Sequence, residues 1–368
     1  MPNVSRPMSK KEQTEISLPL DIGHNKDIGK IRVTCRISNS RKAALVITPL
    51  SSPLRFRPTY QTVVWGGRRM ATWRDDLPSG TIGESWDLAD HARGMSVVMD
   101  GPLAGTTLRD LTRKYGAQLV GPSYAGGDFP LMVKLIDAHD RLSIQVHPDD
   151  RLAKELNVGE RGKTECWYLL GDGGELFVGT KPGVTRERFS AQRADGTLAE
   201  TLNRFVTKTG DFFFIPARTV HALGAGCLIY EIQQTCDVTF RVDDWGRVGL
   251  DGKPRPLHIN ESLETIDFSA ATSPSTTATQ PHPGGGTIRQ LVRCPYFQVD
   301  ERCASRIHHR SASCTIVTCI GGNGKLSTAA GQVDLMPMST VLIPAAAGEW
   351  NAIGEQNQNL HLLVTSPV

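Results

Sequence analysis

Glycine and proline interrupt this sequence so often that long regular elements are excluded. The 368 residues include 36 glycines and 22 prolines. Both residues punctuate turns, so the chain between them must fold as many short pieces. Those pieces are apolar and rich in β-branched and aromatic side chains. Examples are 131–136, 142–146, 166–170, 175–178, 211–215, 227–233, 239–242, 288–292, 314–320 and 340–343. Such runs read as strands. Gly171-Asp172-Gly173-Gly174 separates two of them and reads as a hairpin turn. Helical patterning is confined to a short helix after Thr106 or Thr107 and to 185–205, where Thr185 serves as N-cap. The chain is therefore expected to be mainly β with a small helical insertion.

Composition removes several function classes. Hydrophobic residues at 39% and charged residues at 21% are those of a globular protein. The net charge of +3 offers no general basic surface for nucleic acid. No apolar run approaches the ~20 residues needed to cross a membrane as a helix, and no apolar segment near Met1 resembles a secretory signal. None of the eight cysteines forms a C-x-x-C pair, and reduced thiols in a cytoplasm are expected. Residues 1–50 carry nine Lys/Arg against four acids, or +5, leaving −2 for the remainder. They read as a basic, disordered extension whose removal leaves activity intact. Residues 51–270 form the first β block, 271–286 (Ser/Thr/Pro/Gly-rich) a linker, and 287–368 a second β block.

Three segments break the apolar pattern with polar residues of one chemistry. In Leu142-Ser143-Ile144-Gln145-Val146-His147, the residues Ser143, Gln145 and His147 share one strand face. In Gly162-Lys163-Thr164-Glu165-Cys166-Trp167, Glu165 enters an apolar strand with Lys163 on its face. In Gly210 to Gly224 a strand ends in Ile215-Pro216, turns, and presents His221. That G-x5-P-x4-H spacing is the second metal motif of cupin barrels. Together His147, Glu165 and His221, with Gln145 as an oxygen donor, form an N/O ligand set for one divalent cation. Two imidazoles and a carboxylate suit catalytic zinc, and the same set accepts Fe(II) or Mn(II).

At these residues the sequence resembles the class I mannose-6-phosphate isomerases, zinc enzymes of the cupin superfamily. The resemblance runs through PLRFRPTYQTVVWGGRRM (53–70), IGESWDLAD (82–90), GPLAGTTLRDL (101–111), FPLMVKLIDAHDRLSIQVHPDD (129–150), GKTECWYLL (162–170), GDFFFIPARTVHALGAG (210–226), YEIQQTCDVTFRVDDWGR (230–247) and LVRCPYFQVD (291–300). It implies two cupin-like jelly-roll β domains and one zinc ion per chain. Gln145, His147, Glu165 and His221 match the zinc positions, with Gln145 either a direct donor or behind the others. Lys134, Lys163, Asp237 and Arg241 match positions implicated in substrate handling.

The implied reaction interconverts mannose 6-phosphate and fructose 6-phosphate through a cis-enediol(ate). Lys163 is then the proton-transferring base, with a pKa lowered by the metal. Asp237 assists ring opening, and Arg241 stabilises the enediolate. Ser143, Lys134 and Arg241 are candidates for the phosphate. A monomer or homodimer acting on a small sugar phosphate is expected. The alternatives are isomerisation of another sugar phosphate, a non-catalytic sugar-binding cupin, and an Fe(II) dioxygenase. Two departures from the family pattern stand out. Arg218 replaces a turn glycine, so the turn must avoid positive φ or carry strain, and Cys236 stands where serine is common. In the second block Glu349 and Trp350 occupy the place of a metal histidine, so that block is expected to be metal-free.

Overall fold

The computed structural model of the chain describes residues 49–270, 274–282 and 285–368. The expectation for the N-terminal extension lies largely outside them. Strands dominate, and two pairs of sheets build the fold. The first pair holds a six-stranded sheet, in spatial order Phe212–Ile215, Glu165–Leu169, Leu228–Gln234, Leu131–Asp137, Ile82–Leu88 and Thr59–Gly67. Its partner has five strands, Leu202–Val206, Glu175–Thr180, His221–Leu223, Ile144–Val146 and Phe240–Asp243. Trp167, Phe213 and Ile229 of one meet Leu176, Val178 and Leu223 of the other in a buried cluster.

The second pair joins an eight-stranded sheet to the four-stranded sheet Arg306–Arg310, Glu349–Gly354, Gly324–Thr328 and Gly331–Leu335. Val317, Leu362 and Val364 there pack on Ile307, Leu326 and Trp350. A third cluster lies between the two pairs. It brings Val133, Cys166, Tyr168, Phe212 and Tyr230 against Leu291, Val299, Ile316, Leu342 and Leu363. The six-stranded sheet is thus covered on both faces. That is why its strands read as nearly unbroken apolar runs: all seven residues of Leu131–Asp137 are buried. A charged residue on such a strand has no solvent to reach, so Lys134, Glu165 and Glu231 must find partners inside.

Helices follow their capping signals. Thr107 accepts from Asp110 N at the start of Leu108–Tyr115, and Thr185 accepts from Arg188 N at the start of Arg186–Ala194. None of the helices described is long and apolar enough to cross a membrane.

Four expectations change. The Gly171–Gly174 turn does not close a hairpin. Glu165–Leu169 pairs with Phe212–Ile215 and Leu228–Gln234, whereas Glu175–Thr180 pairs with Leu202–Val206 and His221–Leu223. The turn carries the chain between sheets. The helical reading of 185–205 ends too late, because Leu202–Val206 is a strand and the helix stops at Ala194. Within the linker, Gln280–Pro281 pairs with Thr287 and Ile288, and Ser275 N donates to Phe212 O. Finally, the body begins before residue 51. Leu50 is buried in the cluster between the sheet pairs, and Leu54–Arg57 joins the eight-stranded sheet through Ser339–Ile343. A cut that spares the body must fall before Pro49.

A buried polar knot fastens the pairs together. The Tyr230 hydroxyl lies 2.9 Å from Met338 O and 3.1 Å from Asp87 Oδ2. Asp87 also accepts from Arg74 and Ser85. The Tyr230→Phe variant is expected to lose about 1–2 kcal/mol, since one buried partner disappears without opening a cavity. Urea titration should show a lower midpoint at unchanged slope. An unchanged midpoint would remove this knot from the account.

Candidate metal centre

The five-stranded sheet delivers the histidines. His221 begins its strand directly opposite Gln145, and Gln145 faces Arg241 on its other side. His147 follows two residues after Gln145 on the same face. Each imidazole is fixed by a backbone carbonyl: His147 Nδ1–H donates to Val238 O and His221 Nδ1–H to Thr219 O, both at 2.8 Å. That choice of tautomer leaves each Nε2 lone pair facing inward.

Arg218 takes part in this arrangement. Its φ of +73° confirms strain where a glycine was expected, costing about 1–2 kcal/mol. Its N–H donates to His147 O at 2.7 Å, and its guanidinium Nε to Thr265 O at 3.0 Å. The strained turn therefore ties the two histidine segments together.

The six-stranded sheet delivers the carboxylate. Glu165 is fully buried. Its Oε1 lies 3.3 Å from His221 Nε2, and its Oε2 lies 3.7 Å from His147 Nε2. Lys163 Nζ stands 2.6 Å from Oε2. Neither Glu165 oxygen accepts a well-directed hydrogen bond. His147, Glu165 and His221 each offer a ligand atom, all within 4.8 Å of one another.

Lys163 engages Oε2 alone and Oε1 meets only an imidazole, so the buried carboxylate can accept a further cation. The donor chemistry fits a divalent ion of the zinc type: two neutral imidazoles, one carboxylate and no thiolate. Burial keeps both imidazoles neutral, holding His147 well below the usual histidine range and His221 down to about 4. Burial also raises Glu165 to about 7, aided by the Glu231 charge and opposed by Lys163.

Glu231 is a site residue without a sequence-based assignment. It lies inside the barrel, 3.3 Å from Lys134 Nζ and 3.6 Å from Lys163 Nζ, and accepts from Trp167 Nε1 at 3.0 Å. Burial alone would raise its pKa, but the two ammonium groups and the indole outweigh it and bring it to about 2. Lys163 shows the complementary balance. Burial disfavours its charge, yet Glu165 and Glu231 prevail and its pKa is raised. The lowered pKa expected beside a metal concerns the loaded site, where the charge of Glu165 would be offset. Lys134 also lies 3.7 Å from Glu84 and 4.9 Å above the Trp86 ring. Two ammonium groups here face three carboxyl groups.

The structure gathers Gln145, His147, Lys163, Glu165, His221 and Lys134. Gln145 Nε2 is 3.3 Å from His221 Nε2, and its Oε1 accepts from Ser143 at 3.3 Å, so Ser143 is spent on Gln145. Arg241 projects beside Gln145. It donates one Nη to Pro256 O, while its buried Nε has no partner. Asp237 stands apart from the ligand cluster in an ion pair with Arg93. The signal for Glu231 was present in Tyr230-Glu231-Ile232, an acid inside an apolar strand. Arg93 gives no such signal, because an exposed arginine in a turn is ordinary.

Comparison with known proteins gives the family. The model of the type I phosphomannose isomerase catalytic domain matches residues 54–165. The probable mannose-6-phosphate isomerase GmuF of Bacillus subtilis is 35% identical over 83% of this chain and 97% of its own. The mannose-6-phosphate isomerase of Streptococcus mutans is 34% identical over 83% and 96%. The crystal structure of the Bacillus subtilis mannose 6-phosphate isomerase superposes with a TM-score of 0.78 at 30% identity, covering 85% of this chain and 99% of that one. Fold and site thus define a cupin-like aldose–ketose isomerase. The chain belongs to the type I phosphomannose isomerase family, and its enzyme class is mannose-6-phosphate isomerase.

The Lys163–Glu165 segment reaches the histidines through a glycine. Gly162 N donates to Asp150 Oδ1 at 2.7 Å, Lys163 N donates to Pro148 O at 3.0 Å, and a Cβ at 162 would overlap the Pro148–Asp149 backbone. Gly162→Ala should therefore push Glu165 away from His147 and weaken the affinity for an added divalent cation at least tenfold in competition with a chromophoric chelator. Glu165→Gln should weaken it further. Unchanged affinity in both would place the metal elsewhere.

Proposed function

We propose that this enzyme is zinc-dependent and interconverts mannose 6-phosphate and fructose 6-phosphate through a cis-enediol(ate). The observation that carries the reading is Glu165, whose two buried oxygens lie without directed hydrogen bonds between two inward-facing imidazole nitrogens. His147, Glu165 and His221 would hold one zinc ion per chain, with Gln145 beside His221 as the fourth donor. Bound there, zinc supplies Lewis-acid stabilisation of the negative charge that develops on the substrate oxygens.

The remaining chemistry belongs to the chain. Lys163 is assigned the proton transfer between C1 and C2. Its Nζ is 3.4 Å from His147 Nε2, so a sugar carried by the ligand set meets it directly. Glu165 is the main charge that raises the Lys163 pKa, and that charge would be offset, and the amine's pKa lowered, with a dication held by the ligand set. Glu165 and Glu231 hold the amine in place, and Trp167 Nε1 fixes Glu231. Arg241, always charged, lies beside Gln145 with an unspent Nε–H for the enediolate oxygens. Asp237 assists ring opening, and Lys134 and Ser143 line the site through Glu231 and Gln145. The seven cysteines among the described residues are all free, which supports a cytoplasmic setting.

The reading is tested by a coupled assay of purified protein with mannose 6-phosphate. Turnover should vanish on chelation and return with zinc. Folded, zinc-loaded protein without turnover would defeat it. Lys163→Met should lower turnover by about 10²–10⁴-fold, the scale of a lost acid–base group. Near-normal exchange of the C2 proton with solvent in that variant would instead take the base role from Lys163.

A further inference from the structure

A sugar phosphate brings a dianion, the two ammonium groups inside the barrel are already engaged, and the free Nε–H of Arg241 is assigned to the enediolate oxygens. Lys163 is committed to Glu165 and Glu231, and Lys134 to Glu231 and Glu84. Ser143 is committed to Gln145, and one end of Arg241 to Pro256 O. The phosphate must therefore find its partner nearer the surface.

Arg93 is placed for that role. It sits in the turn joining Asp90–His91 to Gly94–Met95. Its guanidinium stacks 5.6 Å from the Trp86 ring centroid, and the same ring lies 4.9 Å from Lys134 Nζ. Trp86 thus links Arg93 to the ammonium that faces Glu231. The side chain of Arg93 remains 61% exposed and is held by one carboxylate, Asp237. Asp237 directly precedes Val238, whose carbonyl holds His147 Nδ1 at 2.8 Å, so this pair stands beside the ligand set. Beside Asp237 opens a cavity of about 470 Å³ that includes His91 and Arg161.

We propose that Arg93 is the phosphate-binding and specificity-determining residue of the substrate site, and that Asp237 holds it ready until substrate arrives. This rests on the sugar-phosphate reading above. An exposed ion pair contributes little to stability and is readily exchanged. A phosphate dianion offers the planar guanidinium a bidentate partner, which is the stronger interaction. Transfer of Arg93 from Asp237 to the phosphate releases the Asp237 carboxylate where its assigned assistance to ring opening needs it. One exchange of partners thereby couples recognition of the phosphate to exposure of the acid–base group.

The test compares wild type, Arg93→Ala and Arg93→Lys as zinc-loaded enzymes, with inorganic phosphate as competitive inhibitor. Arg93→Ala should raise KM for mannose 6-phosphate and the inhibition constant of inorganic phosphate together, each by at least tenfold. Arg93→Lys should recover part of both, because it restores charge without the bidentate fork. A fall in kcat with both binding constants unchanged would overturn the proposal and leave Arg93 a structural partner of Asp237. Unaltered kinetics in Arg93→Ala would overturn it as well. Wild-type enzyme without turnover would instead count against the functional reading, so the two failures are distinguishable.

Discussion

The structure depends on a carboxylate buried where water cannot reach it. Glu165 lies on a strand whose neighbours Cys166, Trp167, Tyr168 and Leu169 are all inside the protein. A charge in that position is tolerable only if other charges are brought to it, and the fold does so from four strands. Lys163 comes from just ahead of Glu165 on the same chain segment. Glu231 comes from the adjacent strand and Lys134 from the position paired with it on the strand beyond. The imidazoles come from the facing sheet, stripped of charge by burial. Lys163 answers Oε2 of Glu165, while Oε1 meets only the His221 imidazole, and the ligand nitrogens converge on this oxygen pair. A polar network left incomplete in a dry interior is expensive. A divalent cation held there would complete it and tie stability to function.

The surrounding architecture keeps this network dry and fixed. One face of the six-stranded sheet packs on the second pair of sheets, so the strands carrying Lys134, Glu165 and Glu231 are clamped from behind. Polar fastenings cross the same boundary. Tyr230 reaches Met338 O, and Tyr168 donates to Glu301, which also binds His361 and Arg289. Residues alternate along each strand between this boundary and the barrel interior. On Glu165–Leu169 the odd-numbered residues face the site and the apolar floor below it, while Cys166 and Tyr168 face the second sheet pair. The second pair of sheets therefore shapes the site without contributing a ligand to it.

Much of this was legible in the sequence because burial makes polar exceptions conspicuous. Glu165 in an apolar strand, two alternating polar residues before His147, and His221 after a proline turn each stood out against their neighbours. Glu231 carried the same signal, but a carboxylate that holds ammonium groups has no motif of its own. Turns were harder. The Gly171–Gly174 segment has the composition of a hairpin, yet it joins strands of different sheets, because local turn chemistry does not say what the strands pair with. Arg218 at positive φ and Arg93 beside Asp237 depend on contacts between segments distant in sequence. The helix after Thr185 stopped early because pairing with Glu175–Thr180 claimed Leu202–Val206.

X-ray absorption at the zinc edge on the metal-loaded protein tests the central claim most directly. The account predicts a shell of nitrogen and oxygen at about 2.0–2.1 Å, with the outer scattering of two imidazoles and no sulfur at about 2.3 Å. Substituting His221 by alanine should remove one imidazole from that shell. A sulfur shell, or a shell lacking imidazole, would contradict the account, because the metal would then lie away from Glu165.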